Sequence, residues 1–422
     1  MIRFFNGRVL SMNGGMEITN DEVWTDADRI SYVGPARADM PVFERQIDLR
    51  GDLLMPGFKN AHAHTAMTFL RSYADGLPLQ TWLFDRVFPM EGKLTPEDIY
   101  DFTTLGILEY LTSGITASFD MYYMRAPYVQ ANLDCGFRTC ICGGSAAYEL
   151  ISGEYKKYNS SGPLIRYIPG LHSEYTSSEE EFYAAAQLCR ENRAPCFAHN
   201  SETQKEVDEC RARRGGLTPT QFMDSLGLFD YGGGGFHCVW LDEGDIEIFK
   251  RRGLWAVTCP GSNAKLASGI MPLQRYMDEG MNLAIGTDGA SSNNALDMFR
   301  EMYLACVLQK LKTGDASAAP ADGILRMACS GGALAMGLND CDCIARGKQA
   351  DMIVIDLSRP NMRPLNAPAK NLVYSGSKEN VRLTMVAGRV LYENGVFLVG
   401  GDLGALYERC EKRVRQMAET FS

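Results

Sequence analysis

The stretch MPGFKNAHAHT, residues 55–65, follows an apolar run and carries two of the five histidines of the chain, His62 and His64. Residues i and i+2 of an extended strand point to the same side, so the two imidazoles can reach one metal ion together. Two solvent-facing histidines on an edge strand would give the same pattern. The pair therefore indicates a metal site only if further ligands elsewhere in the chain come close to it.

Composition limits the classes of protein to consider. The chain has 422 residues, 45% of them hydrophobic, enough for roughly two to three average domains or one large barrel plus a smaller unit. A formal net charge of −10 argues against nucleic acid or an anionic membrane as the main partner. There is no secretory signal pattern and no apolar run of membrane-spanning length, and 13 scattered cysteines suit a reducing compartment. We therefore predict a soluble, cytoplasmic, bacterial-type metabolic protein.

The two ends of the chain share one style of sequence. Short β-like runs such as MIRFFNGRVLS occur up to about residue 55, and similar runs, ADMIVIDL and VRLTMVAGRVLYENGVF, resume at about residue 345. The Asn-Gly pair in the last run is a hairpin signal. We predict one small β-sandwich domain built from residues 1–55 and 345–422, with a C-terminal helix, and a second domain, residues 56–344, inserted between its halves.

The middle of the chain alternates between apolar runs and helix patterns. Thr95 and Pro96 fit the start of one helix and Gly114 its end, and Ser178 with Glu181 fits a capping box at the start of another. Eight such strands alternating with helices predict an α/β fold, a (β/α)8 barrel of the TIM type. A doubly wound open sheet is the alternative, but no GxGxxG motif follows the first strand. The eight runs are LLMPGFKNAHAH, GITASFDMYY, GFRTCICGG, IRYIPGLHSEY, APCFAHNSET, GGFHCVWL, LWAVTCPGSN and NLAIGTDGA.

All five histidines fall at the predicted carboxyl ends of strands, where a barrel of this type carries its active site. These are His62 and His64 on strand 1, His172 on strand 4, His199 on strand 5 and His237 on strand 6, and Asp288 ends strand 8. A catalytic divalent ion takes about three protein ligands and keeps a position open for water. We predict one divalent ion, held by His62, His64, His199 and Asp288, and these residues do not decide between Zn²⁺ and Fe²⁺. Asp288 can also accept the proton of the attacking water.

Glu202 lies three residues after His199 in the stretch FAHNSET. Taken alone, it is typical of a carboxylate that caps the next helix. In a dry cleft beside a metal, a carboxyl group has a raised pKa and can act as a general acid. Two other features receive plain structural interpretations: the glycines 232–235 are predicted to form a flexible connection, and Cys341 and Cys343 to be ordinary thiols.

Several motifs together resemble the amidohydrolase superfamily and, within it, the methylthioadenosine/S-adenosylhomocysteine deaminases. They are MPGFKNAHAHTAMTFLRSYADGLPLQTWL, HNSETQKEV, SNAKLASGI, GTDGASSNNALDMFREM and GKQADMIVIDL. The resemblance extends from near residue 1 to about residue 400. It implies a distorted barrel with a mononuclear site, usually zinc, and hydrolytic deamination with release of ammonia.

The resemblance also implies roles for individual residues. Glu202 matches the residue that protonates a ring nitrogen, and His237 the histidine that orients or polarises the attacking water. His172 matches a histidine that contacts the substrate, and Glu91 a carboxylate that binds ribose hydroxyls. Trp82, in the same stretch as Glu91, is a further candidate substrate contact.

Two positions depart from the pattern of the family. Gly143 stands at the end of strand 3, where members that bind the tail of S-adenosylhomocysteine present an arginine, and the loop beyond offers only Lys156 and Lys157. Thr258 replaces a histidine found in many relatives. Without a bidentate arginine, a tail carboxylate is held more weakly. We therefore predict an adenine nucleoside substrate without that tail, namely methylthioadenosine, 5′-deoxyadenosine or adenosine, with S-adenosylhomocysteine as the less favoured alternative.

Two other functions remain possible from the sequence. One is deamination of a free purine, pterin or triazine-type ring, or hydrolytic dehalogenation, by an enzyme of the same superfamily. The other is a barrel that has lost its metal and serves as a structural or interaction protein. In each case a homo-oligomer is expected, with neither nucleic acid nor a membrane as partner.

Overall fold

The chain begins with short strands that form sheets outside the barrel in the computed structural model, which describes residues 1–419. They are β1 (Ile2–Phe5), β2 (Arg8–Leu10), β3 (Ile18–Thr19), β4 (Glu22–Asp26), β5 (Arg29–Gly34), β6 (Arg45–Asp48) and β7 (Leu53–Pro56). Strands β5, β4, β1 and β6 make a four-stranded sheet in that order. Trp24 of β4 is buried, so this sheet has a packed face of its own.

Eight parallel strands in chain order form the barrel: β8 (Phe58–Ala63), β9 (Ile115–Asp120), β10 (Arg138–Gly144), β11 (Ile165–Leu171), β12 (Cys196–Asn200), β13 (Gly233–His237), β14 (Trp255–Thr258) and β15 (Asn282–Ile285). The last strand returns to the first, since the Asp288 amide donates to the His62 carbonyl at 3.0 Å. Inward-facing side chains such as Phe119, Phe197 and Phe236 fill the interior. The predicted TIM-type barrel is confirmed.

Helices surround the barrel and follow its strands. They are α1 (Leu79–Trp82), α2 (Phe88–Glu91), α3 (Pro96–Thr112), α4 (Arg125–Cys135), α5 (Tyr148–Asn159), α6 (Glu179–Asn192), α7 (Gln204–Arg213), α8 (Pro219–Ser225), α9 (Glu243–Arg252), α10 (Pro260–Lys265), α11 (Leu273–Asp278), α12 (Met298–Thr313), α13 (Ala321–Arg326) and α14 (Gly332–Ala335). The predicted cap at Thr95 and the predicted capping box of Ser178 with Glu181 are both present, and Thr95 also forms a capping box with Asp98. Each box satisfies amide groups that the first helical turn leaves without partners.

The end of the chain returns to the outer sheets through β16 (Met352–Ile355), β17 (Val381–Val386), β18 (Arg389–Glu393) and β19 (Val396–Phe397), with helices α15 (Pro368–Tyr374) and α16 (Leu403–Glu419). A seven-stranded sheet runs in the order β19, β18, β17, β16, β7, β2, β3. It therefore mixes strands from both ends of the chain. The exact limits of two domains stay a prediction. No helix within residues 1–419 is long and apolar enough to cross a membrane.

The first predicted barrel strand divides into two strands at Gly57. Residues 53–56 pair with β16 and β2 in the outer sheet, and the barrel strand begins only at Phe58. A Cβ atom at position 57 would lie 2.1 Å from the Thr116 Cγ2 atom, so only glycine lets the chain pass here. A continuous apolar run cannot reveal that its two halves belong to different sheets.

The prediction of a flexible connection at glycines 232–235 is wrong, because Gly233–His237 is strand β13. A Cβ atom on Gly233 would lie 1.9 Å from the Cys196 carbonyl oxygen, and one on Gly234 would lie 2.1 Å from that of Trp255. The glycines therefore allow close approach of the neighbouring strands, a use of glycine that sequence alone does not separate from flexibility.

A buried ion pair joins the barrel to the outer sheets. The Arg138 guanidinium at the start of β10 donates to both oxygens of Asp351, at 2.7 and 3.0 Å. The Ala387 amide donates to the same carboxylate at 2.7 Å. Burial would raise the pKa of Asp351, but the charges of Arg138 and Lys59 outweigh it and the pKa is lowered. The carboxylate is therefore ionised and fully partnered inside the protein.

Candidate active site

The predicted ligands meet at the carboxyl end of the barrel. His62 lies in β8, His64 follows it, His199 lies in β12, and Asp288 follows β15. All four side chains are buried. The Nε2 atom of His64 lies 3.3 Å from that of His199 and 3.4 Å from Oδ1 of Asp288, and His62 Nε2 lies 3.6 Å from the same oxygen. Residues far apart in sequence thus form one cluster, as the strand ends predict.

The outer nitrogens of two imidazoles are fixed by backbone carbonyls. His64 Nδ1 donates to the Met121 carbonyl at 2.7 Å, and His199 Nδ1 donates to the His172 carbonyl at 2.6 Å. A carbonyl only accepts, so the proton sits on Nδ1 and the Nε2 lone pair points into the cluster. Hydrogen bonds of this kind orient metal-binding histidines.

His62 has no hydrogen-bond partner at either ring nitrogen within residues 1–419, although both atoms are buried. Burial, followed by the charges of the neighbouring imidazoles, holds the pKa of His62 and of His199 well below the usual value. Neutral imidazoles with lone pairs that converge fit a divalent cation, which needs deprotonated ligands. An unpartnered buried nitrogen is otherwise costly. The cluster therefore fits a divalent ion, and the side chains that converge form two groups, His62 with His64 and His199, and His62 with His237 and Asp288. The predicted ligands His62, His64, His199 and Asp288 would hold the ion.

Asp288 is held tightly from three sides. Its Oδ2 accepts from the hydroxyls of Ser262 at 2.6 Å and Ser292 at 2.8 Å, and its Oδ1 accepts from the Gly289 amide at 2.8 Å. Burial raises its pKa, but the charges of His237 and His64 and the two hydroxyls outweigh burial, so the pKa is lowered. Its backbone has a left-handed φ of 60°. A non-glycine residue rarely adopts this conformation, which is common at functional sites.

Glu202 and His237 face each other beside the metal ligands. The His237 Nε2 atom lies 3.8 Å from Glu202 Oε2, and His237 Nδ1 donates to the Asn263 Oδ1 atom at 2.8 Å. Burial raises the pKa of Glu202. Burial would lower the pKa of His237, but the charges of Glu202 and Asp288 outweigh it and raise the pKa. A carboxyl group that keeps its proton longer than usual suits a general acid.

Glu202 is not the helix cap that its sequence position also allowed. Thr203 caps α7 instead, through the Glu206 amide. The Ser268 hydroxyl donates to Glu202 Oε1 at 3.0 Å, and the buried Glu206 carboxylate accepts from the Glu202 amide at 2.7 Å. Sequence analysis missed Asn263, Ser268 and Glu206 as supporting residues. The motifs SNAKLASGI and HNSETQKEV contained them, but nothing in their spacing showed which site residue each one contacts.

One pocket of about 530 Å³ opens onto this cluster. It is lined by predicted site residues from seven segments of the chain: His64, Trp82, Glu91, His172, His199, Glu202, His237 and Asp288. His172 Nδ1 is bonded to the Thr176 hydroxyl oxygen at 2.6 Å. Burial lowers the pKa of His172 to about 4, so the ring is neutral at physiological pH. The roles assigned to these residues from sequence stay predictions, but the structure brings them together.

Glu91 ends the short helix α2 and lies in the wall of the pocket. Burial raises the pKa of Glu91 to about 7, an effect that the nearby Tyr122 hydroxyl partly offsets. The Tyr123 hydroxyl donates to the Glu91 carbonyl at 2.6 Å and so fixes the backbone. Among the described residues no cation contributes to this pKa, and a buried carboxyl group without one is costly unless it binds a ligand with donor groups.

The space at Gly143 is occupied by another side chain. A Cβ atom there would lie 2.2 Å from Cζ of Tyr167, which stands on the neighbouring strand β11. At Gly144 a Cβ atom would lie 1.5 Å from the Gly170 carbonyl oxygen. Glycine is therefore required at position 144, where the close atom is backbone, whereas a side chain at position 143 would have to displace the Tyr167 ring. Thr258, the second departure, is buried, and the lining of the pocket within residues 1–419 does not include it.

Comparison with known proteins agrees with this geometry. The amidohydrolase family matches residues 53–391. The chain belongs to the amidohydrolase family. This amidohydrolase is 38% identical to 5-methylthioadenosine/S-adenosylhomocysteine deaminase of Pelotomaculum thermopropionicum, with 91% of the chain and 92% of the relative covered. It is 37% identical to 5′-deoxyadenosine deaminase of Methanothermobacter thermautotrophicus, with 87% of each chain covered.

A solved structure is similar over nearly the whole amidohydrolase. It is an adenosine deaminase from Xanthomonas campestris with bound zinc, 32% identical, with 98% of both chains covered and a TM-score of 0.92. The predicted family and the predicted class of enzyme, a hydrolase that removes an amine, are confirmed by these relatives. The prediction of a protein without catalytic function is not supported.

Proposed function

We propose that this amidohydrolase is a zinc-dependent deaminase of adenine nucleosides that carry no charged tail, namely 5′-methylthioadenosine, 5′-deoxyadenosine or adenosine. The observation that carries the proposal is that one pocket is lined both by the proton-transfer residues Glu202, His237 and Asp288 and by the buried carboxyl group of Glu91. The proton-transfer residues fit the hydrolysis of an amine on an aromatic ring, and the Glu91 carboxylate fits the two neighbouring hydroxyls of a ribose. The relatives named above support the nucleoside, and the bound zinc in one of them supports the metal.

The reaction adds water to the ring carbon that bears the amine and releases ammonia. A divalent ion held at this site would lower the pKa of a water molecule bound to it to about 7. Asp288, ionised by its setting, accepts a proton as the water adds. Glu202 gives a proton to the adjacent ring nitrogen, so that negative charge does not accumulate there. The proton held by Asp288 then passes to the amine, the carbon–nitrogen bond breaks as ammonia leaves, and the new hydroxyl group returns a proton to Glu202. His237, fixed through Asn263, presents Nε2 to the same region and orients the water.

The decisive assay measures ammonia release by zinc-restored protein, with chelated protein as the control. The panel contains methylthioadenosine, 5′-deoxyadenosine, adenosine, S-adenosylhomocysteine, guanine and a pterin. We expect the first three to give the highest kcat/KM and the chelated protein to be inactive. Activity on guanine or the pterin alone would still agree with a hydrolytic deaminase site, but it would contradict the assignment of a nucleoside substrate. The expected homo-oligomer stays a prediction that light scattering after size-exclusion chromatography would check.

The raised pKa of Glu91 predicts how activity depends on pH. Its pKa is raised to about 7, so it is ionised above that pH and protonated below it. An ionised carboxylate accepts a hydrogen bond from each hydroxyl of a ribose, whereas the acid accepts fewer and less strongly. We expect kcat/KM for methylthioadenosine to fall as the pH drops from 8 to 6, because kcat/KM reports groups of the free enzyme.

The variant Glu91→Gln separates this group from the proton-transfer residues. We expect it to raise KM by about 10- to 100-fold, since a charge-assisted hydrogen bond contributes about 1.5–3 kcal/mol. The fall in kcat/KM between pH 8 and pH 6 should be absent in the variant. A profile that stays unchanged in Glu91→Gln would show that another residue titrates in this range.

A further inference from the structure

Arg125 stands in the wall of the substrate pocket at the start of α4. It is the only arginine or lysine that lines the pocket within residues 1–419. Its side chain is only 8% exposed. An arginine in this place looks suited to a ligand carboxylate, because its planar donors match a carboxylate in pairs. The question is whether its donors are free.

The two terminal nitrogens are not free, because the protein itself supplies their acceptors, whereas the buried Nε atom has no hydrogen-bond partner within residues 1–419. Arg125 Nη1 donates to Glu154 Oε2 at 2.8 Å, and Arg125 Nη2 donates to the Gly144 carbonyl at 2.7 Å. The Glu154 side chain, on α5, is only 15% exposed, so solvent screens the pair weakly. The pair has no net charge, and a carboxylate that displaced Glu154 would leave that carboxylate buried and unpaired.

Within residues 1–419, no other arginine or lysine lines the pocket and could take the place of Arg125. Lys156 and Lys157 lie on the exposed side of α5, outside the lining of the pocket. At Gly144 the Gly170 carbonyl leaves no room for a side chain, and at Gly143 a side chain would have to displace the ring of Tyr167. The absence of the family arginine at position 143 is therefore built into the packing of β10 and β11.

The rim of the pocket around this pair is apolar. Leu150 lies on α5 one turn before Glu154, lines the pocket and is exposed. Phe84 and Phe88 also line the pocket and are partly exposed, with ring centroids 5.5 Å apart. Exposed apolar side chains around a pocket favour an apolar ligand group, because its burial removes both surfaces from water.

We infer that Glu154 is a specificity-determining residue: it neutralises Arg125 and thereby excludes nucleosides whose 5′ substituent carries an amino-acid carboxylate. This inference rests on the proposed function, since it concerns the 5′ end of an adenine nucleoside. The 5′ substituent that the pocket takes is uncharged, a hydrogen, a hydroxyl or an alkylthio group. The range of substrates is therefore set partly by the ion pair between Arg125 and Glu154. Removal of the Glu154 carboxylate should extend that range to nucleosides with a charged 5′ substituent.

The test compares kcat/KM for S-adenosylhomocysteine and for methylthioadenosine in the wild type and in Glu154→Gln. We expect the wild type to prefer methylthioadenosine, and the variant to gain at least about tenfold on S-adenosylhomocysteine, because one charge-assisted hydrogen bond to the freed arginine is worth about that factor. Methylthioadenosine should change less than threefold, since its tail makes no ionic contact. The double variant Arg125→Gln/Glu154→Gln should lose the gain.

Glu149→Gln is the matched control, because Glu149 is an exposed carboxylate on the same helix. We expect it to change neither substrate by more than twofold. A parallel comparison in the wild type uses 5′-butylthioadenosine, whose tail is long but uncharged, and needs no variant to fold. We expect its kcat/KM to exceed that of S-adenosylhomocysteine at least tenfold.

Distinct results would overturn the inference. An unchanged preference in a folded, active Glu154→Gln variant contradicts it and leaves the proposed function intact. A loss of S-adenosylhomocysteine turnover in that variant would show that the pair opens to bind both charges of the tail. Equal wild-type turnover of butylthioadenosine and S-adenosylhomocysteine contradicts it too. If the wild type deaminates none of the adenine nucleosides, both the proposed function and this inference are wrong.

Discussion

Glu202→Gln is expected to lower kcat on methylthioadenosine by about 10²- to 10⁴-fold, the usual range for loss of a general acid. The amide still accepts the hydrogen bond that Ser268 donates to Oε1, so the side chain keeps its position. It has no acidic proton to give to the ring nitrogen. KM should change little, because the loss concerns the transition state more than the bound substrate. Steady-state kinetics on protein of equal metal content checks the prediction.

The matched control is Glu209→Gln on the same helix, α7. Glu209 is exposed and has ion-pair contacts of 3.8 Å to Lys205 and 3.7 Å to Arg213. Surface pairs of this kind contribute little, so both stability and kcat should stay within twofold of the wild type. If Glu202→Gln kept a tenth or more of the wild-type kcat, the proton donor would have to be sought elsewhere in the pocket.

Asp351→Ala is expected to reduce the free energy of unfolding by about 3–5 kcal/mol, since it leaves the buried Arg138 guanidinium without its counter-charge. The Arg138 side chain is 3% exposed and that of Asp351 is fully buried. Water cannot easily replace the lost carboxylate there, and the Ala387 amide also loses its acceptor. Urea unfolding followed by fluorescence measures the change.

Glu411→Ala is the control for this variant. Glu411 pairs with Arg415 at 3.6 Å, and both side chains are about 70% exposed, at 71% and 67%. An exposed i,i+4 pair contributes only about 0.3–0.5 kcal/mol, so the control should unfold at nearly the urea concentration of the wild type. A cost below about 1 kcal/mol for Asp351→Ala would mean that water reaches the Arg138 guanidinium and takes the place of the missing carboxylate.

Local signals made much of the fold predictable. The eight barrel strands follow from apolar runs of strand length, and Thr95 and Ser178 begin their helices as the capping pattern requires. The metal ligands were predictable for a related reason. In a parallel barrel every strand ends at the same rim, so a polar residue after a run is placed by the run itself.

Contacts between distant segments were not predictable in this way. Arg138 and Asp351 are 213 residues apart, and neither has a neighbouring residue that announces the other. The sequence shows that Gly143 replaces an arginine, but only the structure shows that Tyr167 fills the space. Likewise, nothing in the sequence distinguishes Arg125 and Glu154 from charged residues of the surface. Their pairing follows from how α4 and α5 pack at the end of β10.

The seven-stranded sheet has a consequence for biosynthesis, because β7 pairs with β16 and the whole barrel is translated between them. At about 5–20 residues per second, the partner strand leaves the ribosome on the order of tens of seconds after β7. Throughout that interval the hydrogen-bonding groups of Leu53–Pro56 on the β16 side are an open edge, which invites pairing with another chain. Nascent chains that stop before residue 352 should therefore aggregate or bind chaperones even when their barrel strands are all present.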